Sequence, residues 1–154
     1  MREAIAQAVS VPAVTHPRMR QMVEEVLMGS PVARALGAQL DVLKPEHVEL
    51  VLPYRQENVT LGNTVHGGVI ATLIDIAGAA AAASGADPEQ VKGGATGSLT
   101  IQYLAPANGA SLRAVASVVR RGRRQVISDV EVYAEESDAG VLVAKALMSS
   151  TMFG

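Results

Sequence analysis

The apolar residues of this chain recur with a helical spacing in some segments and with strand-like alternation in others, and most of the second half alternates. Residues 17–28 carry their apolar side chains on one side, which predicts an amphipathic helix. The stretch 64–84 is apolar almost throughout and predicts a long buried helix that ends at Gly85. A shorter helical turn is predicted at 30–36.

Strand-like alternation appears on both sides of the long helix. It predicts two strands before the helix and about four after it, at 39–44, 47–53, 96–103, 111–119, 125–134 and 141–152. The last three strands are joined by short turns at 120–124 and 135–140, which predicts an antiparallel meander, whereas 55–63 is predicted to be a polar loop. We therefore predict an α+β fold in which the long helix is buried against one face of a single sheet.

Composition indicates a globular domain and narrows the classes of partner. The 154 residues are 49% hydrophobic and 18% charged, with a formal net charge of −2. This balance gives no general case for a nucleic-acid partner. The chain contains no cysteine, which excludes disulfides and thiol nucleophiles and is compatible with the cytoplasmic location that we expect. The histidines at 16, 47 and 66 lack the paired spacing of metal ligands, so no metal site is expected.

The stretch 64–84 is long enough to raise the question of a membrane span. Its alanines and glycines, together with His66 and Asp75 inside it, favour a buried helix instead. The N-terminus also lacks the apolar core of a signal peptide. We therefore expect no membrane partner.

Asp75 is the one charged side chain between Asn58 and Ala86, and it lies in the middle of the apolar stretch. Burying a carboxylate is costly unless it is paired or neutralised, so an acid at this position is a candidate for chemistry. It could act as a general base or a nucleophile on an ester-like carbonyl. Alternatively, it could be a structural acid that pairs with an arginine of the sheet or hydrogen-bonds to the backbone of a strand.

His66, Gly67 and Gly68 stand where the long helix is predicted to begin. A helix N-terminus presents unpaired N–H groups and a partial positive charge, which can stabilise a developing oxyanion. The two glycines would let a substrate carbonyl approach the backbone closely. We expect His66 to orient or cap the helix rather than to act as a nucleophile. The alternative is that these residues only form a tight turn into the helix.

The spacing of Gly67 and Asp75 limits how they can cooperate. Eight residues of α-helix separate them, which corresponds to a rise of about 12 Å. One carbonyl cannot contact both groups of the same chain. If both serve one reaction, a second copy of the helix must supply one of them, which predicts two active sites at a two-fold interface.

The segment LGNTVHGGVIATLIDIAGAAAA, residues 61–82, resembles the central-helix motif of hotdog-fold acyl-CoA thioesterases, in particular the phenylacetic-acid-degradation (PaaI-like) family. SPVARALGAQL, TIQYLAPA and RRGRR follow the family's usual order, and the resemblance extends over 30–153. It implies a hotdog fold, in which a curved antiparallel sheet wraps around one long central helix. It also implies homodimers and often tetramers. On this reading 30–154 is a single hotdog domain, and 1–29 is an N-terminal extension with a short amphipathic helix.

The resemblance also implies roles for individual residues. Asp75 would be the catalytic carboxylate, the Gly67 N–H would polarise the thioester carbonyl, and His66 would be the motif histidine beside it. Thr96 matches a Ser/Thr that positions water or the carboxylate in some members. The expected substrate-binding residues are Asn58, Asn63, Gly68, Arg120, Arg121, Arg123 and Arg124.

Two of these assignments leave alternatives open. The chain departs from the family's N-x-x-G-x-x-H spacing, so that either Asn58 or Asn63 takes the role of the motif asparagine. The arginines at 120–124 fall where some relatives bind CoA phosphates, but they are equally typical of a solvated hairpin.

The resulting prediction is an enzyme that hydrolyses an acyl- or aryl-CoA thioester to the free acid and CoA, without a metal or organic cofactor. A non-catalytic acyl-CoA-binding hotdog protein is the main alternative, although a pure binder has no need of Asp75. A hotdog hydratase would require an Asp/His pair beside a glycine-rich helix start, and the sequence offers none.

Overall fold

The computed structural model describes residues 9–135 and 140–154. Its elements in chain order are α1 (Pro17–Gln21), a π-helical segment (Met22–Leu27), α2 (Pro31–Leu36), β1 (Gln39–Lys44), β2 (His47–Leu52), a 3₁₀ turn (Gln56–Asn58), β3 (Val59–Leu61), β4 (Thr64–Val65), α3 (Gly67–Ser84), β5 (Gly93–Tyr103), β6 (Ser111–Arg121), β7 (Gln125–Glu135) and β8 (Val141–Phe153). The first eight residues of the predicted extension and most of the predicted turn at 135–140 lie outside the described residues.

Six of the strands form one antiparallel sheet in the order β1-β2-β6-β7-β8-β5. The predicted meander is confirmed, because β6, β7 and β8 are neighbours in both sequence and space. The predicted polar loop at 55–63 is partly wrong, since it contains the 3₁₀ turn and β3, which pairs with β4. Strands of three and two residues are too short to show an alternating pattern.

The central helix α3 is the core of the molecule. It is long and apolar enough to cross a membrane, but 61% of it is buried inside the protein, as expected for a core helix. Gly78 faces the sheet, and a Cβ at this position would lie 2.4 Å from the Met148 sulfur. The missing side chain therefore allows close packing of α3 on β8. The predicted α+β arrangement of one sheet around one long helix is confirmed.

Two helix boundaries differ from the prediction. The amphipathic helix at 17–28 is α-helical only to Gln21 and continues as a π-helix, with the Met28 N–H donating to the Val23 carbonyl at 2.9 Å. The central helix begins at Gly67 rather than at residue 64 or 65, because those two residues pair as β4 and His66 caps the helix. Hydropathy alone cannot distinguish residues 64–66 from the apolar helix that follows them.

Candidate active site

Asp75 lies in the first half of α3 and accepts a hydrogen bond at its Oδ1 from the Thr96 hydroxyl of β5, at 2.6 Å. Asp75 is half-buried in the protomer rather than fully buried, because its carboxylate lines a cavity. The alternative, in which Asp75 pairs with an arginine of the sheet, is not seen, since no ion pair of the described residues includes Asp75. The structure thus brings together Asp75 and Thr96, the two residues to which the family resemblance assigns the carboxylate and the hydroxyl beside it.

The cavity has a volume of about 240 Å³ and is mostly apolar. Its lining residues are Met22, Leu27, Asp75, Ala79, Ala82, Ala83, Gly94, Ala95, Thr96, Ser150 and Met152. Ser150 was missed by the sequence analysis. It lies opposite Thr96 in the β5–β8 register, and its buried hydroxyl has no hydrogen-bond partner. The cavity thus combines one carboxylate and two hydroxyls with apolar walls.

The start of α3 carries the second group of predicted residues. His66 is the N-cap, and its Nδ1 accepts a hydrogen bond from the Gly68 N–H at 2.8 Å. A Cβ on residue 68 would lie 3.0 Å from that nitrogen, so the glycine leaves room for the cap. The Gly67 N–H, at the first helical position, has no acceptor within the described part of the chain. It is therefore the free donor at this helix end, whereas the Gly68 N–H is occupied.

Tyr103 is a residue of this region that the sequence analysis did not select. Its hydroxyl donates to the Gly67 carbonyl at 2.8 Å, and its ring lies beside the same glycine. Tyr103 alternates with Leu99 and Ile101 along β5, which places it on the side of the sheet that faces α3, and this alternation is the sequence signal that points to it. Tyr103 fixes the first turn of α3 to the far end of β5.

The two asparagines take different positions. Asn58 is buried, and its side-chain amide donates to the Leu36 carbonyl at 3.0 Å. The backbone carbonyl of Asn58 accepts from the His66 N–H at 2.8 Å. Asn63 is exposed on the turn between β3 and β4, and its carbonyl accepts from the Gly109 N–H at 2.9 Å. Asn58, rather than Asn63, is therefore the asparagine that contacts the start of α3.

The arginines of the β6–β7 hairpin also separate into two groups. The Arg121 side chain is 6% exposed; it pairs with Glu46 and donates to the Ala82 carbonyl at 2.7 Å. Ala82 lies in the last turn of α3, where a cation interacts favourably with the helix dipole. Arg120, Arg123 and Arg124 are exposed. Arg121 thus serves the fold in this protomer, and only the other three are free to meet a phosphate.

Seven of the predicted site residues lie at three places along α3, and the other four, Asn63, Arg120, Arg123 and Arg124, are exposed. Asp75 and Thr96 meet at the cavity, Asn58, His66, Gly67 and Gly68 meet at the helix start, and Arg121 lies at the opposite end. None of the helix-start residues lines the cavity. Across residues 9–135 and 140–154, no three His, Cys, Asp or Glu side chains converge in a way that could hold a metal ion.

Side chains with shifted pKa values form a separate cluster on the outer face of the sheet. The Tyr133 hydroxyl donates to one Glu131 oxygen, and Lys145 donates to the other at 3.0 Å. These contacts hold the pKa of Glu131 below its ordinary value, and the same hydrogen bond raises the pKa of Tyr133. The cluster joins β7 to β8 on the face away from α3.

Comparison with known proteins places this architecture in a family. Residues 62–141 match the model of the thioesterase superfamily. A putative esterase of Halobacterium salinarum is 36% identical over 109 residues, which cover 68% of this chain and 72% of that protein. The medium/long-chain acyl-CoA thioesterase YigI of Escherichia coli is 26% identical over 121 residues, which cover 69% of this chain and 77% of YigI.

Solved structures show the same fold. A thioesterase family protein from Silicibacter pomeroyi superposes with a TM-score of 0.82 at 28% identity, covering 88% of this chain and 99% of that one. The PaaI protein of Escherichia coli superposes with a TM-score of 0.75 at 21% identity, covering 89% and 94% of the two chains, and this likeness concerns the fold alone. The sheet order, the buried central helix and the family match agree, and this chain belongs to the thioesterase superfamily with its hotdog fold.

Proposed function

We propose that this protein is an acyl-CoA thioesterase, which hydrolyses an acyl- or aryl-CoA thioester to the free acid and CoA. The observation that carries the proposal is the Asp75 carboxylate, which faces an apolar cavity from the central helix and is held by the Thr96 hydroxyl. Membership of the thioesterase superfamily and the similarity to YigI, whose name states acyl-CoA thioesterase activity, support the same reaction and substrate class.

Asp75 supplies the chemistry as a general base or as a nucleophile. As a base it takes a proton from water while the water oxygen attacks the thioester carbon; the C–S bond breaks, and the CoA thiolate takes up the proton. As a nucleophile its carboxylate attacks the same carbon and displaces CoA, and water then hydrolyses the acyl-enzyme anhydride. In both routes the Thr96 hydroxyl fixes the orientation of the carboxylate.

The negative charge that develops on the thioester oxygen requires a donor. The Gly67 N–H fits this role, because it is free and lies at the positive end of the α3 dipole. His66 supports it by capping the helix and fixing the first turn. Since a rise of about 12 Å along α3 separates Gly67 from Asp75, the proposal requires the donor to come from the partner's Gly67.

Strand β5 offers the surface for such a partner. It is an edge strand of 11 residues, and its sequence GGATGSLTIQY contains no charge. Long edge strands without charged residues are prone to pair with another chain. We infer that β5 pairs with β5 of a second copy across a two-fold axis, which makes the protein a homodimer, with dimers of dimers as a further assembly.

The orientation of side chains on β5 restricts the register of this pairing. Thr96 and Tyr103 both face α3, because each donates a hydrogen bond to it. Leu99 and Ile101 face the core as well. In a regular strand residues 96 and 103 would point to opposite faces. The register with β8 shifts between Thr96 and Ser98, which leaves Gly97 as the extra residue of a bulge and brings both side chains to the face of α3.

An antiparallel pair of β5 strands centred on Thr100 satisfies this restriction. Residues that lie opposite each other in such a pair point to the same face, so the bulge sets Thr96 opposite the partner's Tyr103. Because Thr96 binds Asp75 and Tyr103 binds the Gly67 carbonyl, this register would bring the carboxylate of one chain to the helix start of the other. Each dimer would then contain two equivalent sites.

The direct test is hydrolysis of a panel of short-chain, medium-chain, long-chain and aryl-CoA thioesters, with CoA release followed by a thiol reagent. We expect turnover of at least one class. Asp75→Asn should stay folded and lose about 10²-fold or more in kcat, as for the loss of a base or nucleophile. Asp87→Asn is the matched control, since Asp87 is an exposed acid outside the cavity.

Three outcomes would contradict the proposal. Near-normal turnover by a folded Asp75→Asn protein would exclude the mechanism. Tight binding of acyl-CoA without turnover by the unmodified protein would favour the non-catalytic binding protein. Hydration of an enoyl-CoA in place of thioester hydrolysis would favour a hydratase.

A further inference from the structure

One wall of the cavity comes from a segment to which the family resemblance assigns no role. Met22 and Leu27, the first and last residues of the π-helical segment, both line the cavity. Both side chains are half-buried, whereas Val26 of the same segment is 62% exposed. The N-terminal extension therefore contributes directly to the space that Asp75 faces.

The π-helical geometry explains how both side chains reach the same wall. Residues five apart on an α-helix point about 140° away from each other. In a π-helix the hydrogen bonds join residue i to i+5, as the Met28 N–H to Val23 carbonyl bond does at 2.9 Å, so residues five apart come close to alignment. Val23 meanwhile stays fully buried in the core. The wider turn thus directs Leu27 toward the cavity beside Met22.

A second wall is a stripe of small residues on α3. Ala79, Ala82 and Ala83 follow Asp75 at four, seven and eight residues, which places them on one face of the helix. The cavity therefore extends from the carboxylate toward the C-terminal end of α3. Its volume of about 240 Å³ exceeds the roughly 150 Å³ of an apolar cavity that holds benzene, so an aryl ring or a bent acyl chain of several carbons fits.

We propose that this cavity receives the acyl group of the substrate and that Met22 and Leu27 limit the length of the acyl group. The inference rests on the proposed thioesterase function and adds its substrate class: apolar acyl groups of restricted size. Asp75 is the one charged residue among the lining residues, so a charged acyl group would gain no partner there. The thioester carbon lies at the Asp75 end, and the tail of the acyl group contacts the π-helical segment.

The test compares chain-length profiles of kcat/KM for the unmodified protein and wall variants. Met22→Ala and Leu27→Ala should raise kcat/KM for longer relative to shorter acyl-CoAs by about tenfold or more, since each methylene in an apolar pocket is worth roughly 10–200-fold. Ala79→Val, on the α3 wall, should shift the preference to shorter acyl groups. Val26→Ala is the matched control and should leave the profile unchanged.

Binding separates the failure of this inference from the failure of the proposed function. In the Asp75→Asn background, the wall variants should shift the chain-length dependence of Kd for acyl-CoAs in the same direction. This should hold whether or not the unmodified protein hydrolyses them. Unchanged length profiles in folded Leu27→Ala and Ala79→Val proteins, in both assays, would overturn the inference while leaving the thioesterase intact. If Leu27→Ala does not fold, Leu27→Met and Ala79→Val decide the same question. If the unmodified protein hydrolyses no acyl-CoA but the binding of acyl-CoA still depends on chain length as proposed, only the enzymatic function is refuted.

Discussion

Thr96 determines how the Asp75 carboxylate is presented, because no basic side chain of the described residues pairs with that acid. The hydroxyl holds Oδ1 at 2.6 Å and restricts rotation of the carboxylate. Placement of reacting groups within a narrow range of distances and angles contributes much of the rate in such sites. In the proposed mechanism Thr96 is a positioning residue, and its contribution can be separated from that of the acid itself.

Thr96→Val should lower kcat by about tenfold, less than Asp75→Asn, because the base remains but its orienting hydrogen bond is lost. Thr96→Ser keeps the hydroxyl and should restore most of the activity. The measurement is kcat for the best CoA thioester, with circular dichroism to confirm folding. Equal activity in the valine and serine variants would show that the hydroxyl has no part in the reaction.

Residues distinguished by contrast with their surroundings could be predicted from the sequence. Asp75 is a single charge in an apolar run, and His66 precedes two glycines at a helix start. Tyr103 and Ser150 could not be selected in this way, because their contacts depend on which strands are neighbours and in which register. The sequence could not decide between Asn58 and Asn63 for the same reason, because their positions depend on the path of a short hairpin that has no hydrophobic pattern.

Helix α3 is fixed at both ends by side chains from other elements. At its start, His66 caps the helix and Tyr103 holds the Gly67 carbonyl. At its end, Arg121 binds the Ala82 carbonyl and Glu46, while the Glu46 N–H donates to Ser84 at 2.9 Å. These contacts hold the helix against translation in the sheet, so that Asp75 keeps its position relative to β5.

Arg121 and the exposed arginines should therefore respond differently to substitution. Arg121→Gln should lower the free energy of unfolding by about 1–3 kcal/mol, because a charged hydrogen-bonded pair and a helix carbonyl lose their partner. The triple change of Arg120, Arg123 and Arg124 to Gln should leave stability within about 0.5 kcal/mol and raise KM for CoA thioesters. Urea unfolding and steady-state kinetics measure the two effects.

A small thioester without the nucleotide is the control substrate for the triple variant, since it has no phosphates to lose. An equal rise in KM for both substrates would mean that these arginines do not contact CoA. A stability loss in the triple variant as large as that of Arg121→Gln would contradict the division between structural and exposed arginines.

Helices and strands with at least six residues and a clear periodicity of apolar side chains were predicted to within about three residues at their ends. The π-helical segment, β3 and β4 were not. A π-turn keeps the same apolar residues as an α-helix and differs only in which carbonyl each N–H contacts. The sequence accordingly predicted the helix but not the geometry that brings Leu27 to the cavity.

At the scale of the whole molecule, the proposed site requires two chains, and the absence of cysteine makes the pairing easy to test. Thr100→Cys should form an interchain disulfide on mild oxidation, because residue 100 lies opposite itself in the proposed register. Directly opposed Cα atoms in antiparallel pairs are roughly 4.5–5.5 Å apart, within the range that a disulfide spans. Non-reducing electrophoresis and retained activity of the cross-linked dimer are the measurements.

Ser98→Cys is the matched control, since Ser98 is exposed on the same strand but would lie opposite the partner's Gln102 rather than opposite itself. It should not cross-link alone, whereas the double variant with Gln102→Cys should. Efficient cross-linking of Ser98→Cys alone, or a monomer in sedimentation analysis of the unmodified protein, would exclude this register.

A mixed dimer of two inactive variants tests whether Asp75 of one chain works with the helix start of the other. Gly67→Pro removes the donor N–H without disturbing the helix, because proline is favoured at the first helical position and His66 already has an extended backbone (ψ 133°). Asp75→Asn removes the acid. Each homodimer should be folded and nearly inactive.

The two variants, co-expressed with different tags and purified as the heterodimer, combine one site that carries both lesions with one that carries neither. With a shared site, about half of the unmodified activity should return. If the acid and the N–H instead act within one chain, every site keeps one lesion and the heterodimer stays as inactive as its parents. That result, with both parents folded and dimeric, would contradict the shared site.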